Sequence, residues 1–525
     1  SDIALARQSG SNFLRTAHYP QDVAILDATD RLGMLVSMEV PLDHDITDSD
    51  AFYRNTVTMH KEMIHQYFNH PSIIIWAYMN EMLLGRNWDK EKAKIGKITA
   101  FARELEAVTR KEDPSRYTMI PNHGDFDLYK RAELTDIPML VGWNLYYGWY
   151  DPDMDGLGKF LDRHHQALPD KPTLITEYGA GSDPRIRSFA PERFDFSVEW
   201  QTRFNQRNLE QVMARPFVAG SAVWNLFDFG STNRNDAVPK INSKGLMSFD
   251  RQPKDSYWLL QSWLSDTPIV RIGSKSWQQR AGLADANQSN TVTQPVPVFG
   301  NVGSAELWLN GTSLGVKKLS EHQAVWQVPF TDGVNTLRVT SPQEGNAPPD
   351  VAQITMQVKP PATTAFDSVY INAGSNFYFN DQASGVVWLP DEPYRDGFWG
   401  FTKGERFYPR SLGIGSDKDI LNTNRDPLFQ TQRQGNFSYQ FDVPPGRYEL
   451  TLLFAALTNG TQSTSDFTIS ANGQPLPGLP RHAVTAPFTA MEKSWIIDVI
   501  EGGLTVSFKG NNGSAALSAI GLAAQ

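Results

Sequence analysis

The sequence predicts a parallel α/β barrel of the (β/α)8 kind with its first strand missing, followed by two all-β sandwich modules. Three observations lead there. Short β-like runs alternate with amphipathic helical segments over the first 265 of 525 residues, the pattern of a parallel sheet wound with helices. After about residue 266 helical periodicity stops and short alternating strands dominate. A Pro-rich stretch, Lys359-Pro360-Pro361-Ala362-Thr363-Thr364, reads as a joint between modules.

The strand candidates in the first part are Asn12–Thr16, Met34–Glu39, Ile73–Met79, Tyr117–Ile120, Met139–Asn144, Thr173–Thr176 and Ala219–Asn225. Between them, Phe52, Met59, Met63, Tyr67 and Phe68 share one helical face, and Pro71 must end that helix. Ile95, Ile98, Phe101, Leu105 and Val108 form a second stripe. Ser197–Arg215 is a third helix, with Ser197 as N-cap and Pro216 beyond its end. Seven strands are one short of a closed barrel. Ala4–Ser11 already reads as the helix before a second strand, so the first strand is expected upstream or on another chain. A seven-stranded open sheet is the alternative.

The domains expected are a partial barrel at 1–265, an immunoglobulin-sized sandwich at 266–358, a linker at 359–365 and a further sandwich at 366–525. Ala305–Leu309, Ala324–Val328 and Thr336–Val339 are strands of the first sandwich. Phe437–Val443, Arg447–Ala455, Phe467–Ala471 and Leu504–Phe508 are strands of the second.

Composition closes several routes. Lys+Arg 48 against Asp+Glu 58 leaves a net charge of −10, which argues against nucleic acid as partner. Absence of cysteine removes disulfides, thiol nucleophiles and Cys-bound zinc. The longest apolar runs, such as Ile73–Tyr78, are far below the ~18 residues of a membrane span. Eight of ten histidines precede residue 166, yet none has the spacing of a helical zinc pair, so no catalytic metal is expected. His164-His165 reads as a solvated helix end.

Chemistry in a barrel sits at the C-terminal ends of the strands. Ile73–Met79 ends in Asn80-Glu81, and Thr173–Thr176 ends in Glu177-Tyr178-Gly179. A carboxylate just past a buried strand is costly unless paired or used. Two at one mouth is what glycoside hydrolysis needs, one as proton donor and the other as nucleophile or base. Trp76, Trp143 and Trp149 flank these runs and are either core or sugar-facing walls; Trp224, ending the last strand, reads as a sugar platform.

Several ordered motifs resemble glycoside hydrolase family 2, which holds β-galactosidases, β-glucuronidases and β-mannosidases. They are Arg15-Thr16-Ala17-His18-Tyr19-Pro20, Asp30-Arg31-Leu32-Gly33, Asn69-His70-Pro71-Ser72 with Asn80-Glu81, Asn144-Leu145-Tyr146-Tyr147-Gly148-Trp149-Tyr150, Thr176-Glu177-Tyr178-Gly179 and Val223-Trp224-Asn225. The resemblance implies an exo-acting retaining β-glycosidase with Glu81 as general acid/base and Glu177 as nucleophile. It further implies that Asn80 holds the sugar 2-hydroxyl, Tyr146 hydrogen-bonds the nucleophile, and Arg15 and His18 line the pocket floor with Asn144 and Tyr150. No cofactor is required, and a structural divalent or monovalent cation is compatible.

Asn242-Ser243-Lys244-Gly245 resembles the Asn-x-Lys motif with which β-glucuronidases hold the uronate carboxylate. The arginine that accompanies it in some of those enzymes is not evident, since Val238 stands there. The expectation is therefore a β-galactosidase, with a β-glucuronidase or β-galacturonidase as alternative, and a non-catalytic carbohydrate-binding protein as the rival from another class. Downstream, Glu306-Leu307-Trp308-Leu309-Asn310-Gly311 resembles an immunoglobulin-like module, and Ile371-Asn372-Ala373-Gly374 with Pro445-Gly446-Arg447-Tyr448 resembles malectin. That likeness makes Tyr370, Asp381 and Trp399 candidates for a second sugar site. The partners implied are an oligosaccharide or glycoconjugate, upstream polypeptide completing the barrel, and a homo-oligomer; the location implied is periplasmic or secreted.

Overall fold

The computed structural model describes the chain except residues 236–237, 286–289, 343–346, 364, 408–415, 417, 459–466, 479–485 and 511–514, so Thr364 of the expected joint lies outside the described residues. The chain forms two compact units. One comprises Ser1–Ala180, Phe204–Leu226 and Leu264–Asp266; the other comprises Gly181–Arg203, Phe227–Trp263 and Thr267–Gln525.

In the first unit, seven strands pair in parallel and in chain order: β1 (Phe13–Thr16), β2 (Leu35–Glu39), β3 (Ile73–Ala77), β4 (Tyr117–His123), β5 (Leu140–Asn144), β6 (Thr173–Tyr178) and β7 (Val218–Val223). This is the nearly closed barrel the alternation predicts, and each strand lies within a few residues of its expected place. Its interior is apolar, with Ile75, Ala77, Met119, Leu140 and Leu174 packed together. Each of the larger ones, Ile75, Met119, Leu140 and Leu174, contributes about 1.5–3 kcal/mol on burial.

The helix Asp50–Tyr67 begins at Ser49, whose side chain accepts from Phe52 N, and buries Met63, Ile64 and Tyr67. It packs on the helix Trp88–Glu112, which buries Ile95, Ile98, Phe101 and Leu105. Phe68 departs from the predicted stripe: it is exposed, its ring lying 5.0 Å from the Arg116 guanidinium carbon. His164 departs as well. It is buried and accepts from Trp143 Nε1 at 3.1 Å, because the helix turns it onto β5 rather than to solvent. Trp76, Trp143 and Trp149 are all fully buried, which assigns them to core.

In the second unit, sheets of three and five strands enclose Val270, Val296, Val298, Leu307, Trp326, Leu337 and Ile354, an immunoglobulin-like sandwich. Burial alternates residue by residue along Ser304–Leu309 and Gly333–Thr340, as a half-buried strand requires. A second sandwich has sheets of seven, five and three strands around Ile371, Trp399, Tyr439, Leu450, Leu452, Val506 and Ile520. The outermost strand of its seven-stranded sheet is Ile186–Arg187, which pairs antiparallel with Tyr378–Asp381. This loop is pinned further by Ser188 Oγ donating to Asn376 O at 3.1 Å and Asn376 Nδ2 donating to Ala190 O at 2.6 Å. Ser197 caps the helix Val198–Met213 through Trp200 N, at 3.1 Å.

Candidate active site

In the first unit the strand ends bring one buried guanidinium against two carboxylates. Arg15 lies on β1 with a side chain only 2% exposed. It donates to both oxygens of Glu39 from β2, through Nε to Oε1 and through Nη2 to Oε2 at 3.2 Å. Its Nη1 donates to Glu177 Oε1 at 2.6 Å, and its Nη2 also donates to Asn80 Oδ1 at 2.8 Å. The other oxygen of Glu177, at the end of β6, accepts the Tyr146 hydroxyl at 2.6 Å. Both oxygens are thus held by donors, which fixes the carboxylate's orientation.

Glu81 follows β3 in left-handed backbone, φ +49°. Asn144 Nδ2 donates to its Oε1 at 2.9 Å and to Asn80 Oδ1 at 3.1 Å, while Thr176 Oγ1 fixes Asn144 by donating to its Oδ1 at 2.7 Å. Asn80 Nδ2 donates to Asp43 Oδ1 at 2.8 Å. His18 approaches Glu39 Oε2 at 3.3 Å and Glu177 Oε1 at 3.9 Å, and stacks on Trp224 with ring centroids 5.2 Å apart. Tyr150 is exposed, its ring 5.0 Å from that of Tyr146. One continuous network therefore gathers Arg15, His18, Asn80, Glu81, Asn144, Tyr146 and Glu177, with Trp224 and Tyr150 at its margin.

The electrostatics differ from the expected ones. Burial raises the Glu177 carboxyl above its ordinary range, and the nearby Glu81 charge adds to this, while Arg15, His18 and Tyr146 pull the other way. Arg15 is divided, because Glu39 takes much of its charge: burial would raise Glu39, but Arg15 and His18 hold it below the usual range. Burial raises Glu81 too, yet hydrogen bonds from His44 and Asn144 outweigh it and leave Glu81 lowered. The two shifts run opposite to the expected roles: Glu177, the expected nucleophile, is raised and Glu81, the expected proton donor, is lowered.

Glu39, Asp43 and His44 belong to this network and were not among the sequence candidates. Glu39 ends an apolar run, Leu35-Val36-Ser37-Met38, so the test that found Glu81 and Glu177 finds it too. Asp43 and His44 lie in a loop with no periodic signal.

Asn242 and Lys244 belong to the second unit, where both are buried in a tight turn. Lys254 Nζ lies inside that turn, donating to Asp228 Oδ1 at 2.8 Å and to the carbonyls of Ser182 and Ser243, each at 3.0 Å. Gly245 N donates to Asp228 Oδ1 at 2.8 Å, and a Cβ on Gly245 would lie 2.2 Å from Asp228 N, so no other residue fits there. Gln201 Nε2 holds the Lys244 and Gly245 carbonyls at 3.3 and 3.0 Å, and Lys244 N donates to Asn242 Oδ1 at 3.3 Å.

The second sugar-site candidates each have a structural task. Trp399 is in the sandwich core. Asp381 closes a turn by accepting from Ala383 N at 3.1 Å, with Arg425 at 3.8 Å. Tyr370 packs on Trp388 with centroids 5.2 Å apart.

For a cation, Asp27, Asp30 and His70 bring ligand atoms within 4.8 Å of one another. Asp30 already accepts from Ser72 N at 3.0 Å and binds His70 Nδ1 at 2.7 Å, so this group braces the loop before β3.

A parallel barrel whose strand ends converge on paired carboxylates is the arrangement that glycoside hydrolysis needs. The chain belongs to glycosyl hydrolase family 2: the description of that family's TIM barrel domain matches residues 1–267. A domain of unknown function matches 292–347, and the malectin domain matches 368–476. A β-glucuronidase of Bacteroides fragilis is 32% identical over 359 residues, covering 65% of this chain and 48% of that relative. The crystal structure of a Bacteroides uniformis β-glucuronidase is similar over 100% of this chain and 62% of its own, with TM-score 0.93 and 34% identity. B. uniformis β-glucuronidase 2 covalently bound to cyclophellitol-6-carboxylate aziridine matches with TM-score 0.93 and 35% identity, again over 100% of this chain and 62% of its own. The chain spans about half the length of the curated relative it matches. Among the described residues, no helix is long and apolar enough to cross a membrane.

Proposed function

We propose that this chain carries the catalytic barrel of a retaining, exo-acting β-glucuronidase that removes terminal β-linked glucuronate from oligosaccharides or glycoconjugates, with periplasmic or extracellular glycans as its setting. This revises the galactoside expectation, which rested on the residue at Val238. What carries the reading is that the chain is similar along its whole length to a β-glucuronidase captured covalently by a carboxylate-bearing inhibitor. The buried Asn242–Lys244 turn, clamped by Lys254, agrees with it, because a lysine side chain is a fitting partner for a uronate carboxylate.

In this reading Glu177 attacks C1 of the sugar while Glu81 protonates the departing glycosidic oxygen. Glu81 then takes a proton from water as that water displaces Glu177 from C1, and the configuration is retained. Arg15 and Tyr146 orient Glu177 and stabilise its charge in both steps. Asn80, fixed by Arg15, Asn144 and Asp43, presents its amide to the 2-hydroxyl. His18 and Trp224 form a flat wall for the ring.

A panel of aryl β-glucuronide, β-galacturonide and β-galactoside tests this. Glucuronide should be preferred, and Lys244→Ala should lower its kcat/KM by about one to two orders of magnitude, the worth of one charge-assisted hydrogen bond. Preference for the galactoside, undisturbed by Lys244→Ala, would overturn the reading.

A further inference from the structure

We propose that His44 is a positioning residue for Glu81, a fixed cation that favours the base form of that carboxyl and so speeds the second half of the double displacement. The inference rests on Glu81 being the acid/base of the proposed reaction.

His44 lies between two carboxylates. Its Nε2 is 3.2 Å from Glu81 Oε2, and its Nδ1 is 2.8 Å from Asp43 Oδ2. A neutral imidazole has one N–H, whereas two acceptors call for two, so the ring carries both protons. Its hydrogen bonds to Asp43 and Glu81, opposed in part by burial, push its pKa up to about 10.

The backbone sets this contact independently of the side chains. His44 N donates to Asn80 O at 3.0 Å, and Asn80 N donates to Leu42 O at 2.9 Å. Residues 42–44 are therefore laced to the residue that precedes Glu81. His44 has φ +62° and Glu81 φ +49°, two left-handed non-glycine residues facing each other across this lacing. Such backbone persists where its surroundings over-determine it, and it clusters at functional sites.

Of the other titratable groups around the pair, a charge on His123 would also pull Glu81 down, but only His44 does so through a hydrogen bond to its carboxylate. Asp43 is anionic and also accepts from Asn80. Burial lowers His123, which bonds the Tyr129 hydroxyl at 2.8 Å and stays neutral. Tyr129 and Tyr146 are pushed up by burial and stay neutral too, and Glu177 repels a charge on Glu81.

The two half-reactions ask opposite things of Glu81. Breaking the glycosidic bond needs its proton; hydrolysing the glycosyl ester needs its lone pair. In the second step the water O–H electrons form the new C1–O bond, the proton goes to Glu81, and the C1–O pair returns to Glu177. The imidazolium at Glu81 Oε2 keeps the carboxylate form populated for this step, and it depletes the protonated form that the first step needs. The enzyme is then matched to aglycones that leave easily.

The test is His44→Asn in the full chain. Asn accepts left-handed backbone but is too short to reach Glu81. The substrates are aryl and alkyl glycosides of whichever sugar the wild type cleaves. For an activated aryl glycoside, whose turnover is limited by hydrolysis of the intermediate, kcat should fall about tenfold. For the alkyl glycoside kcat/KM should hold or rise, and its alkaline limb should move to higher pH. Equal losses on both substrates with the limb unmoved, or no change at all, would overturn the proposal.

Should the variant not fold, ¹⁵N spectra of the wild type decide the same point. Both ring nitrogens of His44 should remain protonated at pH 8, and a neutral ring there would overturn it. Glu81→Ala with added azide separates the two layers: a β-glycosyl azide product upholds Glu81 as acid/base whatever His44 does, and no rescue would sink that assignment itself.

Discussion

Tyr146 donates its hydroxyl to Glu177 Oε2 at 2.6 Å, on the opposite oxygen from Arg15. Without it the buried carboxylate keeps one oriented donor and loses the other. Tyr146→Phe should lower kcat/KM by about ten- to a hundredfold, since a hydrogen bond to a charged group is worth about 1.5–3 kcal/mol. Michaelis–Menten kinetics of the two proteins measure this; a loss below twofold would mean that the bond is incidental.

In the proposed reaction the acid limb of activity should report on Glu177. Burial raises this carboxyl, so activity should be present above the ordinary carboxyl range and lost as pH falls through the raised value. Two variants should move that limb in opposite directions. Tyr146→Phe removes a donor to the anion and moves it up. Glu39→Gln leaves Arg15 wholly to Glu177 and moves it down. pH profiles of kcat/KM shifting the same way in both would contradict this electrostatic account.

His60 makes stability depend on pH. Buried on Thr109 Oγ1 at 2.7 Å, it has its pKa pulled down to about 4 by burial, against ~6.5 when unfolded. The unfolded chain therefore takes up the proton first as pH falls. This group's stability is complete above pH ~6.5 and lost progressively towards pH 4, by up to about 3 kcal/mol. Urea unfolding at pH 7 and pH 4.5 should show a smaller acid loss in His60→Met than in the wild type; identical losses would remove His60 from the account.

Lys254 is the buried cation inside the Asn242–Gly245 turn. Burial lowers it and raises its partner Asp228, each towards its neutral form, and their contact opposes that. Lys254→Met leaves Asp228 buried without its cation, which should cost about 3–5 kcal/mol by chemical denaturation. Aryl glucuronide kcat/KM should drop at least about tenfold with it. A variant of unchanged stability and activity would show that the turn holds itself.

Much of this was legible in sequence because barrel strands and carboxylates at strand ends leave periodic, local signals. Ile73–Met79 and Thr173–Thr176 are largely buried runs, and the polar Asn80-Glu81 and Glu177 that follow them are the candidate site. His44 was invisible for the opposite reason: its role comes from a loop laced to residue 80, a contact with no period. Among the malectin-like candidates, composition cannot tell a tryptophan in a core from one on a glycan face; Trp399 is 7% exposed. The galactoside leaning gave one expected arginine more weight than the turn built around Lys254.

Covalent labelling tests the central claim most directly. A 2-deoxy-2-fluoro-β-glucuronyl fluoride forms a glycosyl ester that hydrolyses slowly, because the fluorine destabilises the positive charge of the transition state. Peptide mapping of the labelled full-length protein should place the sugar on Glu177, with the label lost on Glu177→Gln. A label on Glu81, on Glu39 or on any other residue would contradict the account.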